Sequence, residues 1–251
     1  MGIRPGEIFL TKLRTLAELG PDDENAVRSM SFEVRMVGPR VEIFSHGNRC
    51  DAFYVLLAGM AAESKTLSTG KRQILSLYVP GDILNINGVM TGRFDNDVTT
   101  LDPCTLGFVD RRKFLELLFD NPGVAKALCL DVAAESAILR NRIVSLGRRT
   151  SEKRLAHLLL ETRVRLLTAK GGQEGMIELP LTQQELADVL GFSMVHVNRT
   201  LQKLRGAGLI EVRPKIRIAK LRALEELAEF DGRYLSIRET STVDRTASTR
   251  H

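Results

Sequence analysis

The sequence predicts an α+β chain, with an antiparallel roll of short strands in the N-terminal half, one long central helix, and two short capped helices followed by a hairpin. Three observations carry this. Gly47, Gly59, Gly70 and Gly81 recur at spacings of 12, 11 and 11 between short apolar runs. Val124, Leu128, Val132, Leu139, Ile143 and Leu146 lie close to helical spacing. Residues 181–210, LTQQELADVLGFSMVHVNRTLQKLRGAGLI, hold two helix-start signals on either side of a glycine.

Short helices are expected from about Ile8 to Leu16 and from about Pro21 to Ser31. Between about Val34 and Val109, strands are expected at Val41 to Phe44, Phe53 to Leu57, Gln73 to Val79 and Thr105 to Val109. His46-Gly47-Asn48, Thr69-Gly70-Lys71 and Pro80-Gly81-Asp82 supply hairpin or corner signals between them. Short strands punctuated so regularly imply an antiparallel barrel or roll. After Pro122-Gly123 the period becomes helical, for a helix of about 22 residues and roughly 33 Å at 1.5 Å per residue. A helix of that length between two compact units suits pairing with its twin, with Val124, Leu128, Val132, Leu139 and Ile143 as the seam. A further helix runs from Thr150 or Ser151 through Leu155, Leu158, Leu159 and Leu166 to Lys170. Ser241 to His251 are rich in Ser, Thr and Arg and are expected to be disordered. The expected division is a roll with its N-terminal helices at 1–121, the central helix at 122–147, a helix-turn-helix unit at 148–230 and a tail at 231–251.

Within that unit Thr182 follows Pro180 as an N-cap, and Glu185 completes a T-x-x-E capping box ahead of Leu186, Val189 and Leu190. Gly191 breaks the helix, Phe192 plugs the corner, and Ser193 caps a second helix from about Met194 to Arg205. Val197, Leu201 and Leu204 form its buried stripe. The opposite face carries Val195, His196, Asn198, Arg199, Gln202, Lys203 and Arg205, the donors and cations a helix needs to enter a DNA major groove. The stretch from Glu211 to Ile218 alternates around Pro214 and reads as a basic wing, with Arg213, Lys215 and Arg217 placed for phosphate. Thr182 and Ser193, at the two helix starts, belong to the same expected surface.

Charge is distributed accordingly. From Arg148 to Arg222 there are 15 Lys and Arg against 7 Asp and Glu, a net +8, whereas the 251-residue chain carries only +5. Basic charge is therefore concentrated where a phosphate backbone would release counterions. With 43% apolar residues the chain can bury two cores. No apolar run approaches bilayer length, and the start Met-Gly-Ile-Arg-Pro-Gly lacks both a secretory core and the Ser or Thr favoured for myristoylation, so a soluble cytoplasmic protein is expected. Cys50, Cys104 and Cys129 are odd in number and far apart, which signals neither a disulfide framework nor a zinc site and suggests buried small hydrophobes.

The glycine-punctuated roll, the long central helix, and the patterns L-T-x-x-E-L-A-x-x-L-G-x-S and V-x-R-x-L-x-x-L-x-x-x-G-L-I resemble the cyclic AMP receptor and fumarate-nitrate regulator (CRP/FNR) family of bacterial transcription factors. The resemblance runs from about Ile8 to Leu224. It implies a cyclic-nucleotide-binding-like jelly roll, a central dimerisation helix and a winged helix-turn-helix. The implied molecule is a homodimer that reads an inverted repeat in double-stranded DNA, partners RNA polymerase and answers a small-molecule or redox signal in the roll.

Departures from the family pattern narrow the signal. Where the cyclic AMP binders carry G-E-L, this chain reads Asn85-Ile86-Asn87, and Asn96-Asp97 stand where their phosphate-holding Arg-Ser pair would fall. Ile86 accepts no ribose hydrogen bond and Asp97 repels phosphate, so these five residues mark an effector pocket of unknown ligand rather than a cyclic nucleotide site. The iron-sulfur branch needs clustered N-terminal cysteines, and none precedes Cys50. His46 is the roll's single histidine, which leaves a haem without a convincing axial ligand and argues against the other function a roll suggests, a cupin-like metalloenzyme. No cofactor, metal or catalytic residue is expected. A constitutive dimeric DNA binder whose roll is only structural is the alternative.

Overall fold

The protein is described by a computed structural model that covers residues 4–169, 179–212 and 215–235. Helices α1 (Pro5–Leu16) and α2 (Pro21–Ser29) each open on a proline, with acidic residues in the first turn facing the positive end of the helix dipole. The roll follows as β1 (Glu33–Val37), β2 (Glu42–Phe44), β3 (Ala52–Ala58), β4 (Ala61–Thr66), β5 (Arg72–Tyr78), the short helix α3 (Ile86–Thr91), β6 (Asp97–Thr100) and β7 (Cys104–Asp110). All pairs are antiparallel, in one sheet ordered β1-β7-β3 and another ordered β2-β6-β4-β5. Phe9 of α1, Phe53 of β3 and Phe114 of α4 (Arg111–Asp120) are fully buried, with the last two rings stacked at 3.5 Å.

The central helix α5 spans Pro122–Arg148, 27 residues against the roughly 22 expected, and fills the expected 122–147 segment with one residue beyond it. Its first turns correct the predicted seam. Val124 and Leu128 are 0% and 4% exposed and belong to the core of the roll, so they are not free to meet a second copy. The helix carries two adjacent apolar rows. One, through Val124, Ala127, Leu128, Ala134 and Ile138, is buried by its own chain. The other, through Cys129, Val132, Leu139, Ile143 and Leu146, lies on the surface at alternating steps of three, seven or four residues, the spacing of a coiled-coil seam. Cys50 and Cys104 are buried as expected, while Cys129 is exposed.

A second core joins α6 (Ser151–Ala169), α7 (Gln183–Leu190), α8 (Met194–Gly206), β8 (Ile210–Val212), β9 (Ile216–Ile218) and α9 (Leu221–Ala228) around Leu155, Leu159, Leu186, Val197 and Leu224. Leu179 bridges to Ile216 and adds a short third edge to the β8-β9 hairpin. The predicted tail starts later than residue 231. Gly232–Leu235 form a 3-10 turn whose Tyr234 hydroxyl donates to Glu161 Oε2 at 2.6 Å and whose Leu235 is 5% exposed. Ser241 to His251 and Lys170 lie outside the described residues.

One carboxylate ties the two cores together. Gly81, at φ +94, turns the chain so that the buried Asp82 receives Lys12 Nζ at 2.8 Å, Arg165 Nη2 at 2.7 Å and its own loop's Val79 N–H at 2.8 Å. Burial opposes ionisation of Asp82, but Lys12 and Arg165 outweigh it and hold the carboxyl below its ordinary range. Lys12 also reaches Asp131 at 3.0 Å, so α1, the roll, α5 and α6 meet at this point. Arg72 of β5 pairs with Asp188 of α7 at 2.7 Å and fixes the helix-turn-helix against the roll.

Candidate nucleic-acid interface

The local signals at 181–206 produce the corner that they predict. Thr182 Oγ1 accepts from Glu185 N at 3.2 Å and Glu185 Oε2 accepts from Thr182 N at 2.7 Å, closing the capping box. Gly191 ends α7 at φ 65, ψ 33, a left-handed conformation that disfavours any residue with a Cβ. Ser193 Oγ then accepts from His196 N at 3.3 Å and starts α8. Both hydroxyls accept within the caps and keep a proton to donate outward.

In α8, Val197, Thr200, Leu201 and Leu204 are at most 3% exposed and seal one face. Met194, Val195, Asn198, Arg199 and Gln202 line a shallow concavity on the opposite side, together with Gln183 from the start of α7. Val195 is 72% exposed, and among the described residues Arg199 has no ion-pair partner. A guanidinium and a carboxamide one turn apart on a protruding helix suit hydrogen bonding to base edges.

Not every expected contact shares this face. His196 stacks on Phe192 at 4.4 Å on the flank of the helix. Lys203 is paired with Glu152 of α6, which draws its ammonium toward the body of the domain. In the wing, Lys215 lines the cleft facing Arg40 and Pro103 of the roll, and Arg213 lies outside the described residues. Gln183 and Met194 were missed by sequence reasoning. The polar residue right after a cap was a usable signal for Gln183, but only the angle of the corner brings it beside Asn198, whose Nδ2 donates to Gln183 Oε1 at 3.4 Å.

The residues expected around an effector make hydrogen bonds within the roll itself. Asn85 is 6% exposed, accepts from Tyr54 N at 3.0 Å and donates to Ala52 O at 2.7 Å, so it braces β3. Ile86 opens α3, and the exposed Asn87 donates to Asp95 at 3.1 Å. Asn96 donates to Glu63 Oε1 at 2.8 Å, and Asp97 accepts from His46 N at 2.8 Å.

A helix-turn-helix with an open second helix, hinged to a roll by a long helix, defines a DNA-binding regulator. Residues 153–227 match the family model of the Crp-like helix-turn-helix domain, and residues 34–121 that of the cyclic nucleotide-binding domain. The chain is 30% identical over 218 residues to the transcriptional activatory protein AadR of Rhodopseudomonas palustris, covering 86% of this chain and 89% of that one. It is 31% identical over 170 residues to the nitrogen fixation regulation protein FixK of Bradyrhizobium diazoefficiens, covering 68% and 70%. The solved structure of FixK2 from Bradyrhizobium japonicum shares the fold, with a TM-score of 0.69 at 24% identity over 79% of this chain and 98% of that one. The chain belongs to the CRP/FNR family of transcription regulators. No described helix is long and apolar enough to cross a membrane.

The match of the roll to the cyclic nucleotide-binding domain model gives its fold and does not name its ligand. Asn96 stands where the resemblance puts a phosphate-holding residue and donates to Glu63 Oε1 at 2.8 Å, and carboxylates beside that position disfavour a cyclic phosphate. Calorimetric titration with cyclic AMP or cyclic GMP is therefore expected to show no saturable heat up to millimolar nucleotide. A micromolar Kd for either would refute this.

Proposed function

We infer that the chain acts as a homodimeric, sequence-specific transcription regulator that binds an inverted repeat in double-stranded DNA. The observation that carries this reading is the open face of α8, where Val195, Arg199 and Gln202 project together opposite a sealed stripe. Pairing through the surface row of α5 would set the two α8 helices about one helical turn apart, roughly 10 to 10.5 bp, on successive major grooves. Arg199 donates to guanine, Val195 packs on a thymine methyl, and Asn198 and Gln202 extend the contact. Thr182, Ser193 and His196 are assigned to backbone positioning at the rim, and Arg213, Lys203 and Lys215 are assigned to phosphate on the strength of their charge and place in the sequence. RNA polymerase is the expected protein partner, the cytoplasm the site of action, and no catalytic role is assigned. Selection from a random DNA pool tests the reading, which fails if no inverted repeat emerges.

A constitutive binder is the second reading, favoured by the internal hydrogen bonds that occupy Asn85, Asn96 and Asp97. In that case the purified protein binds its selected site as tightly as it does in the presence of cell-extract metabolites.

The dimer axis has its own test. Cys129 is exposed and leads the surface row of α5. In a parallel helix pair, seam residues face their twins at separations a disulfide spans, about 4.4–6.8 Å between Cα atoms. Mild oxidation is expected to convert the 27.9 kDa chain to a band of twice that mass on non-reducing gels. Cys50 and Cys104 are buried and cannot substitute. Equal cross-linking in Cys129→Ser would show that the seam lies elsewhere.

A further inference from the structure

Two buried arginine donors at the junction of α5 and α6 find no acceptor among the described residues. Arg142, 9% exposed, donates from Nη2 to Glu161 Oε1 at 2.8 Å, but its Nη1 is unsatisfied. Arg154 donates from Nη1 to Leu190 O at 2.9 Å and from Nη2 to Leu146 O at 2.7 Å, while its buried Nε has no partner. Both side chains line the same small cavity, whose other walls include Ser145, His157, Leu158 and Val189. Buried N–H groups are almost always paired, so two orphans at one cavity call for an occupant that accepts from both.

Charge identifies its class. Three arginines, Arg142, Arg149 and Arg154, surround the junction, and the facing carboxylate, Glu161, already accepts from Arg142 and from the Tyr234 hydroxyl at 2.6 Å. Arg154 has no carboxylate partner among the described residues and lies over the Phe192 ring at 4.7 Å, with burial pushing its pKa down. His157 gives a second view of the same field. Burial first, then Arg149, pushes it down to about 4, with Glu161 opposing and Arg142 adding to the fall, so it stays neutral and the local charge stays positive. The cavity is small, which favours a compact monatomic ion over phosphate, sulfate or an organic carboxylate.

We propose that this cavity is a binding site for a small monovalent anion of halide size, held between Arg142 Nη1 and Arg154 Nε. A water molecule also accepts from both donors but leaves the Arg154 charge uncompensated, whereas a halide both accepts and compensates. The site joins α5 to α6, and through the Arg154 contact with Leu190 O it reaches the last turn of α7 beside the Gly191 corner. An anion there stiffens the junction that carries the helix-turn-helix.

Crystals of the full chain grown in sodium bromide provide the test, with anomalous diffraction at the bromine edge. The expected result is a peak within contact distance of both arginines. Alongside it, the wild-type Tm should rise by a few degrees and saturate as bromide or chloride replaces gluconate at constant ionic strength. Arg154→Gln should lose both the peak and the halide-dependent increment. If that variant does not fold, the two wild-type measurements decide. A water without anomalous signal at that position overturns the proposal. So does a bromide peak with the same Tm in halide and gluconate, which marks an adventitious ion only.

Discussion

Arg199→Ala is expected to weaken binding to the selected inverted repeat by about 2 to 6 kcal/mol, because each half-site loses a bidentate guanine contact of about 1–3 kcal/mol. That is roughly 30-fold to 10⁴-fold in Kd. Folding should be untouched, since Arg199 is exposed and holds no ion pair among the described residues. Selection repeated with the variant should relax preference at one guanine per half-site and leave the other positions unchanged. Uniform weakening on every DNA sequence would make Arg199 a phosphate contact instead. Val195→Glu, two helical turns from Gln202 and one from Arg199, should shift preference toward a C·G pair at the neighbouring step, because a carboxylate accepts from cytosine N4 and valine does not.

Val132→Glu combined with Ile143→Glu is expected to give a folded monomer that binds DNA about 10²–10⁴ times more weakly, because the second half-site is then no longer engaged at high effective concentration. The two side chains are 43% and 69% exposed in the single chain, so charge there costs little until a second helix covers it. Sedimentation equilibrium reads the state directly, and a persistent dimer would remove α5 as the seam. Leu128→Glu is the instructive contrast. Leu128 is 4% exposed in the core of the roll, so that substitution should lower the Tm of the chain itself and not only its association.

That contrast shows where a one-dimensional pattern runs out. Val124, Leu128, Val132, Leu139 and Ile143 share one helical period, and periodicity assigns them to one stripe. The roll covers the first turns of α5 and leaves the later ones open, so the same period serves two partners. Asn96 and Asp97 show a second limit. Sequence position placed them where the resemblance puts a phosphate, yet their contacts with Glu63 and the His46 N–H depend on strand pairing about 30 and 50 residues away in the chain. The strand β4, AAESKT, gives little sequence signal because it lacks the apolar alternation that marks a strand, and its pairing with β5 and β6 holds it in the sheet.

The sequence by itself determined the helix-turn-helix, because its signals are local: a capping box within four residues, a glycine at a left-handed position, and a second cap two residues later each act on adjacent backbone groups. It also determined the roll and the long helix as classes, through glycine spacing and period. Only the tertiary structure decided which apolar row of α5 stays open, how Asp82 gathers Lys12 from 70 residues before it and Arg165 from 83 residues after it, and why Arg142 and Arg154 share one cavity. Burial and pairing of this kind follow from which surfaces meet in space, and no residue's near neighbours in sequence encode that.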